Sequence, residues 1–211
     1  MRTGRFTASE VWKLMTEPRK KTEAWSETAK TYILEKAVEQ ATGYRKQITS
    51  KEMEHGIMTE PEAFEAWVKV SGVPYTYTAK EFFEISPIAG ASPDGVLYDG
   101  LDIISVCDIK CPQPLTFMEL VTERPEVDKK YFYQLQMQMI ATESETAFLV
   151  YYLAKEFVNT YTNEVEFTFD LPLEKRLYVL EVKKDSEVHE QILEKIEKAE
   201  ELKQEYIKAI I

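Results

Sequence analysis

Ile103-Ile104-Ser105-Val106-Cys107-Asp108-Ile109-Lys110 is an apolar, β-branched run that closes on an acid, a hydrophobe and a base. Side chains of a strand alternate faces with a period of two. Asp108 and Lys110 would therefore share one face, with Cys107, Ile109 and Cys111 on the other. Asp94 lies 14 positions before Asp108, in Ser92-Pro93-Asp94-Gly95 at a Pro/Gly-rich strand entry. A hairpin turning near Tyr98-Asp99-Gly100-Leu101-Asp102 would bring it to the Asp108 face from the neighbouring strand. Two carboxylates on adjacent strands beside an ammonium suit a magnesium site and the hydrolysis of phosphodiesters. An Asp-x-Lys pair alone is usually a solvated edge pair. Here the flanks are apolar, Asp94 sits in a Pro-Asp-Gly turn, and Gly56-Ile57-Met58-Thr59-Glu60-Pro61-Glu62-Ala63 supplies a third carboxylate in Glu60. Burying such charges is costly unless they pair or hold a metal.

The 211 residues are 44% hydrophobic, enough for one domain with a full core. The motif-bearing part spans about residues 1–153, and a C-terminal strand and long helix fill about 160–211. The formal charge of −11 means that any contact with DNA is local. Candidate basic spots are Arg2 with Arg5, Arg19-Lys20-Lys21, Arg45-Lys46 and Lys129-Lys130, and much of the acidity follows Glu181. Cys107 and Cys111 read as small buried residues of a reducing compartment, not as a disulfide. With only His55 and His189 beside them, no structural metal is expected. No apolar run approaches a membrane span and no signal-peptide core is seen, so the expectation is a soluble, cytoplasmic protein.

Along the chain, a short helix runs through Val11, Trp12 and Leu14 with Ser9 as N-cap, and a second, capped by Ser26 or Thr28, stops near Gly43. A third covers roughly Ser50 to Val70, with Phe64, Trp67 and Val68 facing the core. Pro61 either kinks it or starts a new turn, with Thr59 as cap and Glu62 as reciprocal partner. Strands are expected at Tyr75 to Thr78, Glu81 to Ser86, Ala91 to Tyr98, Asp102 to Cys111, Thr146 to Leu153 and Glu164 to Asp170. Helices are expected around Phe117 to Val121, from Asp128 to Thr142, and from about Pro172 to the end. The last carries a stripe of Val188, Ile192, Ile196, Ala199, Leu202 and Tyr206 that packs onto the domain. The class is α/β, a central mixed sheet flanked by helices.

The Asp128 to Thr142 helix puts Phe132, Leu135 and Met139 on one face and Tyr131, Gln134 and Gln138 on another. A glutamine row is often plain surface. Directly after the candidate strand, it is also placed to hydrogen-bond phosphate oxygens or an attacking water.

Five motifs in order, Gly4-Arg5-Phe6-Thr7-Ala8-Ser9-Glu10-Val11, Gly56 to Ala63, Ala91-Ser92-Pro93-Asp94-Gly95, Asp108-Ile109-Lys110-Cys111-Pro112 and Tyr131-x-x-Gln134-Leu135-Gln136, resemble the phage lambda exonuclease family, the YqaJ-like viral recombinases of the PD-(D/E)XK nuclease superfamily. The likeness covers about the first 150 residues. It implies a restriction-endonuclease-like core that digests double-stranded DNA from the 5′ end with Mg2+, Mn2+ substituting, and leaves a 3′ single strand for recombination. It also implies a ring-shaped homotrimer, a single-strand annealing protein as partner, and residence in a bacterial host as a phage or prophage protein.

Carried over by residue, the resemblance implies Asp94 and Asp108 as metal ligands, Lys110 as catalytic lysine, and Glu60 as the helix glutamate, ligating a metal through water. It implies Arg2, Ser9, Ser92 and Gln134 as binders of the 5′-phosphate, with Gln138 beside them. Asp108 stands where close relatives have Glu, one methylene shorter in reach. The chain also begins almost at Arg2, where the lambda enzyme has a preceding segment. Two other readings compete: an endonuclease of the same superfamily, and a nonenzymatic DNA-end binding module.

Overall fold

The structure, a computed structural model, describes residues 2–45, 51–78, 81–123, 126–158 and 164–211. Along them run β1 (Phe6–Thr7), a 3-10 turn (Ala8–Lys13), α1 (Glu27–Thr42), α2 (Lys51–Ser71), β2 (Thr76–Tyr77), β3 (Phe83–Ser86), β4 (Ala89–Ala91), β5 (Gly95–Asp99), β6 (Asp102–Lys110), α3 (Pro114–Glu123), α4 (Lys129–Thr142), β7 (Thr146–Tyr152), β8 (Glu156–Val158), β9 (Val165–Thr168), β10 (Leu177–Lys183) and α5 (Ser186–Ile210).

β6 is the middle strand of a five-stranded sheet ordered β10-β7-β6-β5-β2. It pairs antiparallel with β5 and parallel with β7, the crossover being α3 and α4. A central strand must be covered on both faces, and β6 is. Cys107 and Ile109 pack with Val150 and Tyr152 against Ala63, Phe64 and Trp67 of α2. Val106 packs with Leu149 and Tyr151 against Phe117 of α3 and Leu135 and Met139 of α4. A smaller sheet, β1-β4-β3, lies with a third core where Ile192, Ile196 and Ala199 of α5 meet Ala29, Tyr32 and Ile33 of α1. The α5 stripe thus packs onto the domain as its spacing predicts.

Local chemistry sets several boundaries. Ser26 accepts the Ala29 N–H and starts α1, which Gly43 closes. Asp128 accepts the Lys130 N–H and starts α4. α2 runs on through Pro61, so Thr59 and Glu62 form no new cap. Its expected start at Ser50 and the basic Lys46 lie outside the described residues.

Three expectations are corrected. Ser9 is not an N-cap: Thr7 precedes the turn, which is 3-10 rather than α, and no side chain caps it. The expected Ala91 to Tyr98 strand is two strands in different sheets, because Ser92-Pro93-Asp94 bends the chain between β4 and β5. The terminal helix begins at Ser186, since Leu177-Tyr178-Val179-Leu180-Glu181-Val182-Lys183 is β10, antiparallel to β7. An unpaired β7 edge would leave its backbone groups without partners, and this β-branched, aromatic segment supplies them. Gln136, fully buried, clips the β10 to α5 junction: its Nε2 donates to the Lys183 carbonyl at 2.9 Å and its Oε1 accepts from Asp185 N–H at 3.0 Å.

Candidate active site

β6 delivers Asp108 and Lys110 to one face, and Lys110 Nζ lies 2.6 Å from Asp108 Oδ2. Asp94 arrives from the bend before β5. Its N–H donates to the Cys107 carbonyl at 3.0 Å, and its Oδ2 accepts from Ile109 N–H at 2.6 Å. The Asp94 carboxylate thereby satisfies a β6 amide beyond the end of β5. The bend is held in turn by the residue after β2: Thr78 N–H donates to the Asp94 carbonyl at 2.9 Å and the Thr78 hydroxyl donates to the Pro93 carbonyl at 3.1 Å.

α4 packs over this end of the sheet and turns its glutamine row inward. Gln134 and Gln138 are buried, and their Nε2 atoms donate to Asp108 Oδ1 at 2.5 and 2.9 Å. They are therefore not surface: they fix the Asp108 carboxylate. Oδ2 is left buried with no hydrogen-bond donor beyond the ion pair with Lys110. Tyr131, one turn earlier, places its ring 5.3 Å from Lys110 Nζ.

Arg2, Ser9, Ser92, Asp94, Asp108, Lys110, Gln134, Gln138 and Glu60 all line one cavity of about 270 Å3. Arg2 donates to the Ser92 hydroxyl at 2.6 Å, and Ser92 donates to the Glu81 carbonyl. Glu60 Oε1 accepts from the Tyr77 hydroxyl at 2.7 Å. Phe82 and Arg45 complete the wall, and the Arg2 guanidinium stacks 5.7 Å from the Phe82 ring. A larger groove of about 780 Å3, bordered by Met53 and Ile57 of α2 and Thr116 and Leu120 of α3, meets the cavity at Glu60, Ile109 and Lys110. Lys130 lines this groove, while Arg5 is paired with Glu84 outside both.

Burial pushes the Asp94 carboxyl well above the ordinary aspartate value, the Asp108 charge adds to this, and Lys110 opposes it. Burial disfavours the Lys110 ammonium, but Asp108 and Asp94 outweigh that and hold its pKa above the usual lysine value. Burial also pushes Cys111 up to about 12, with Glu60 and Asp94 adding to it. Both cysteines stay free thiols on the apolar face.

The chemistry of the donors fits a hard divalent cation. Mg2+ is commonly bound by one or two carboxylates, with water and phosphate oxygens completing its shell. Asp94 and Asp108 would supply the carboxylates, and the buried Oδ2 of Asp108 has no partner beyond its ion pair with Lys110. Among the described residues, no three His, Cys, Asp or Glu side chains cluster as a ready-made cage.

Phe82, Tyr77 and Arg45 belong to the site and were not singled out as site residues from sequence, although Arg45 was among the basic spots. Tyr77 and Phe82 carried no signal, because their place depends on how β2 and β3 cross the bend.

A model of the YqaJ-like viral recombinase domain matches residues 1–145. Among solved structures, the chain is similar to the alkaline exonuclease LHK-Exo from Laribacter hongkongensis, with a TM-score of 0.78 and 22% identity over 99% of this chain and 92% of that one. The same exonuclease in complex with dAMP gives a TM-score of 0.77 and 22% identity over the same shares. A phage related exonuclease from Haemophilus somnus 129PT gives a TM-score of 0.77 and 17% identity over 98% of this chain and 96% of that one. At these identities the likeness is one of fold. Curated proteins give no match.

Proposed function

The chain belongs to the YqaJ-like viral recombinase family, and from that premise we propose that it is a magnesium-dependent exonuclease of double-stranded DNA, working 5′ to 3′ and leaving 3′ single strands for recombination by annealing. The observation that carries this reading is the convergence of Asp94, Asp108 and Lys110 with Arg2, Ser9 and Ser92 around one cavity. Asp94 and Asp108 would hold the Mg2+, or Mn2+ in its place, with Glu60 acting through water. Such a cation polarises the scissile phosphate and lowers the pKa of a water beside it.

The chain's own residues do the rest. Gln134 and Gln138 keep Asp108 Oδ1 occupied, which leaves Oδ2, paired with Lys110, as the oxygen that would hold the cation. Water oxygen attacks phosphorus and the P–O3′ bond breaks with its electron pair on O3′. The proton given up by water is balanced by the one that O3′ gains. Lys110, kept protonated by its two acidic neighbours, stabilises charge building on the phosphoryl oxygens. A bound cation would reverse the local sign of the acidic pair, so a chain of charge −11 could meet DNA here.

Arg2 and Ser92 favour an end-processing enzyme over an endonuclease. A planar guanidinium binds phosphate bidentately, and lining the same cavity as the acidic pair it suits a terminal 5′-phosphate. Ser9 would add its hydroxyl. The same reading extends to a ring-shaped homotrimer, a single-strand annealing partner, and action in the cytoplasm of a bacterial host. Among the described residues, no helix is long and apolar enough to cross a membrane.

Digestion of linear duplexes labelled at the 5′ or the 3′ end, with Mg2+ and with chelator, tests activity, metal dependence and polarity together. Release of the 5′ label first and only with metal is expected. Covalently closed plasmid should stay intact, and its cleavage would establish the endonuclease instead. Duplexes carrying a 5′-phosphate should be degraded faster than 5′-hydroxyl ones, and Arg2→Ala should erase most of that difference. Equal initial rates for wild type would remove the pocket but leave the catalytic assignment intact.

A further inference from the structure

Arg2 enters the cavity from a turn in which Arg5 N–H donates to the Arg2 carbonyl at 3.2 Å. The third residue, Gly4, has a φ of +72°, the left-handed region that favours glycine. A Cβ there would lie 2.8 Å from Gln40 Cβ. Gly4 is buried, and two side chains from helices far apart in sequence hold its polar atoms. Its N–H donates to Glu39 Oε2 of α1 at 3.1 Å. Its carbonyl accepts from Lys203 Nζ of α5 at 3.0 Å.

Both charges are buried and neutralised locally. Lys203 is 1% exposed, 2.5 Å from Glu200 Oε2 and 5.2 Å from the centre of the Phe6 ring. Glu39 Oε1 accepts from Lys36 Nζ at 2.9 Å, and Lys36 lies 3.6 Å from Glu10 Oε2. Ions in such an apolar setting carry a desolvation cost that well-packed hydrophobic residues would not. Their bonds to the peptide are charge-assisted, so they are stronger and more directional than neutral ones. The turn so held leads on one side to Arg2 on Ser92 at 2.6 Å. On the other it leads to Phe6, whose N–H donates to the Ile88 carbonyl at the start of β4, the strand that runs into Ser92.

We propose that Lys203 and Glu39 are positioning residues for the DNA-end pocket: by gripping the carbonyl and the N–H of Gly4 they fix the turn that presents Arg2 to Ser92 beside Asp94 and Lys110. This rests on the reading of Arg2 as a phosphate ligand. It gives α5, beyond residues 1–145 matched by the family model, a part in recognising the DNA end.

The test is steady-state cleavage of 5′-phosphorylated and 5′-hydroxyl duplexes by Lys203→Met, Gly4→Ala and the surface control Lys198→Met, whose side chain is 58% exposed, with each variant's Tm. Lys203→Met and Gly4→Ala should raise KM for the phosphorylated duplex about tenfold while changing kcat less than about twofold, and so shrink the preference between substrates. Lys198→Met should do neither, and Lys203→Arg should restore part of the loss. In an Arg2→Ala background, Lys203→Met should add nothing, because both act through one guanidinium. A folded Lys203→Met with wild-type KM and preference overturns the inference. So does one that lowers kcat equally on both substrates, or one whose effect adds in full to that of Arg2→Ala. Should Lys203→Met not fold, Gly4→Ala decides, since it moves the turn and keeps the charges. An Arg2→Ala variant of wild-type behaviour would sink the phosphate-pocket reading together with the inference. An effective Arg2→Ala beside a silent Lys203→Met sinks the inference alone.

Discussion

The two faces of β6 carry alternate residues of one strand and have opposite fates. Cys107 and Ile109 lie against α2 in an apolar cluster with Phe64 and Trp67. Asp108 and Lys110, one residue out of phase, lie under the polar row of α4. Backbone and neighbours in sequence are shared, so the difference comes from what each helix turns toward the sheet. α2 offers rings and alanines, whereas α4 offers amides that can hold a carboxylate. The apolar face fixes where the strand lies, and the polar face uses that rigidity to keep two carboxylates and an ammonium together, which would otherwise cost stability.

Changes to the polar face should cost activity, and changes to the apolar face should cost stability. Asp94→Ala and Asp108→Asn carry the largest expected effect: turnover falls to background and Mg2+ affinity falls with it, since each removes a ligand charge. Calorimetry finding wild-type magnesium affinity in both would remove them as ligands. Lys110→Ala comes next, lowering kcat by about 10²–10³ while DNA ends and Mg2+ still bind. A rate near wild type would take the lysine out of the mechanism.

Across the strand, Gly95 sits opposite Cys107 in β5, and a Cβ there would lie 2.5 Å from the Phe64 ring and 2.9 Å from Cys107 Sγ. Its glycine serves close packing under α2. Gly95→Ala should destabilise by about 1–3 kcal/mol through overpacking, read as a lower urea midpoint, with kcat of the folded enzyme nearly kept. A stable protein with a large loss of kcat would mean that the two faces are not separable.

The smallest effect concerns pH. Burial pushes the Tyr75 hydroxyl up to about 12, against the hydrogen bond it shares with Ser105 at 2.8 Å. A raised folded-state value for an acid means that the neutral form is favoured in the fold. Tyr75's contribution is therefore complete below the ordinary tyrosine value of 10.0 and lost as pH rises toward about 12. Urea midpoints taken across that window should fall less steeply in Tyr75→Phe than in wild type. Parallel slopes would show that Tyr75 does not titrate in that window.

Much of the site was legible because its signals are local. Period-two alternation put Asp108 with Lys110, the Gly100 hairpin brought Asp94 alongside, and the i, i+3, i+7 row on α4 marked Gln134 and Gln138. Two errors have a common cause. The segment around Leu177, expected as the start of the terminal helix, becomes β10 because β7 has an open edge for it to pair with. Ala91 to Tyr98 reads as one strand, and it divides because β4 and β5 join different sheets.

The sequence by itself determined the family, the α/β class, the main helices and the identity of the acidic pair and lysine, since motif spacing and side-chain periodicity are properties of the chain alone. Only the tertiary structure decided that Gln134 and Gln138 hold Asp108 Oδ1, that Phe82 and Arg45 wall the same cavity as Arg2, and that Lys203 bonds to Gly4 across 199 positions. Those contacts join segments whose spacing carries no pattern, and they form because packing α4 and α5 onto the sheet leaves buried polar groups that have to find partners.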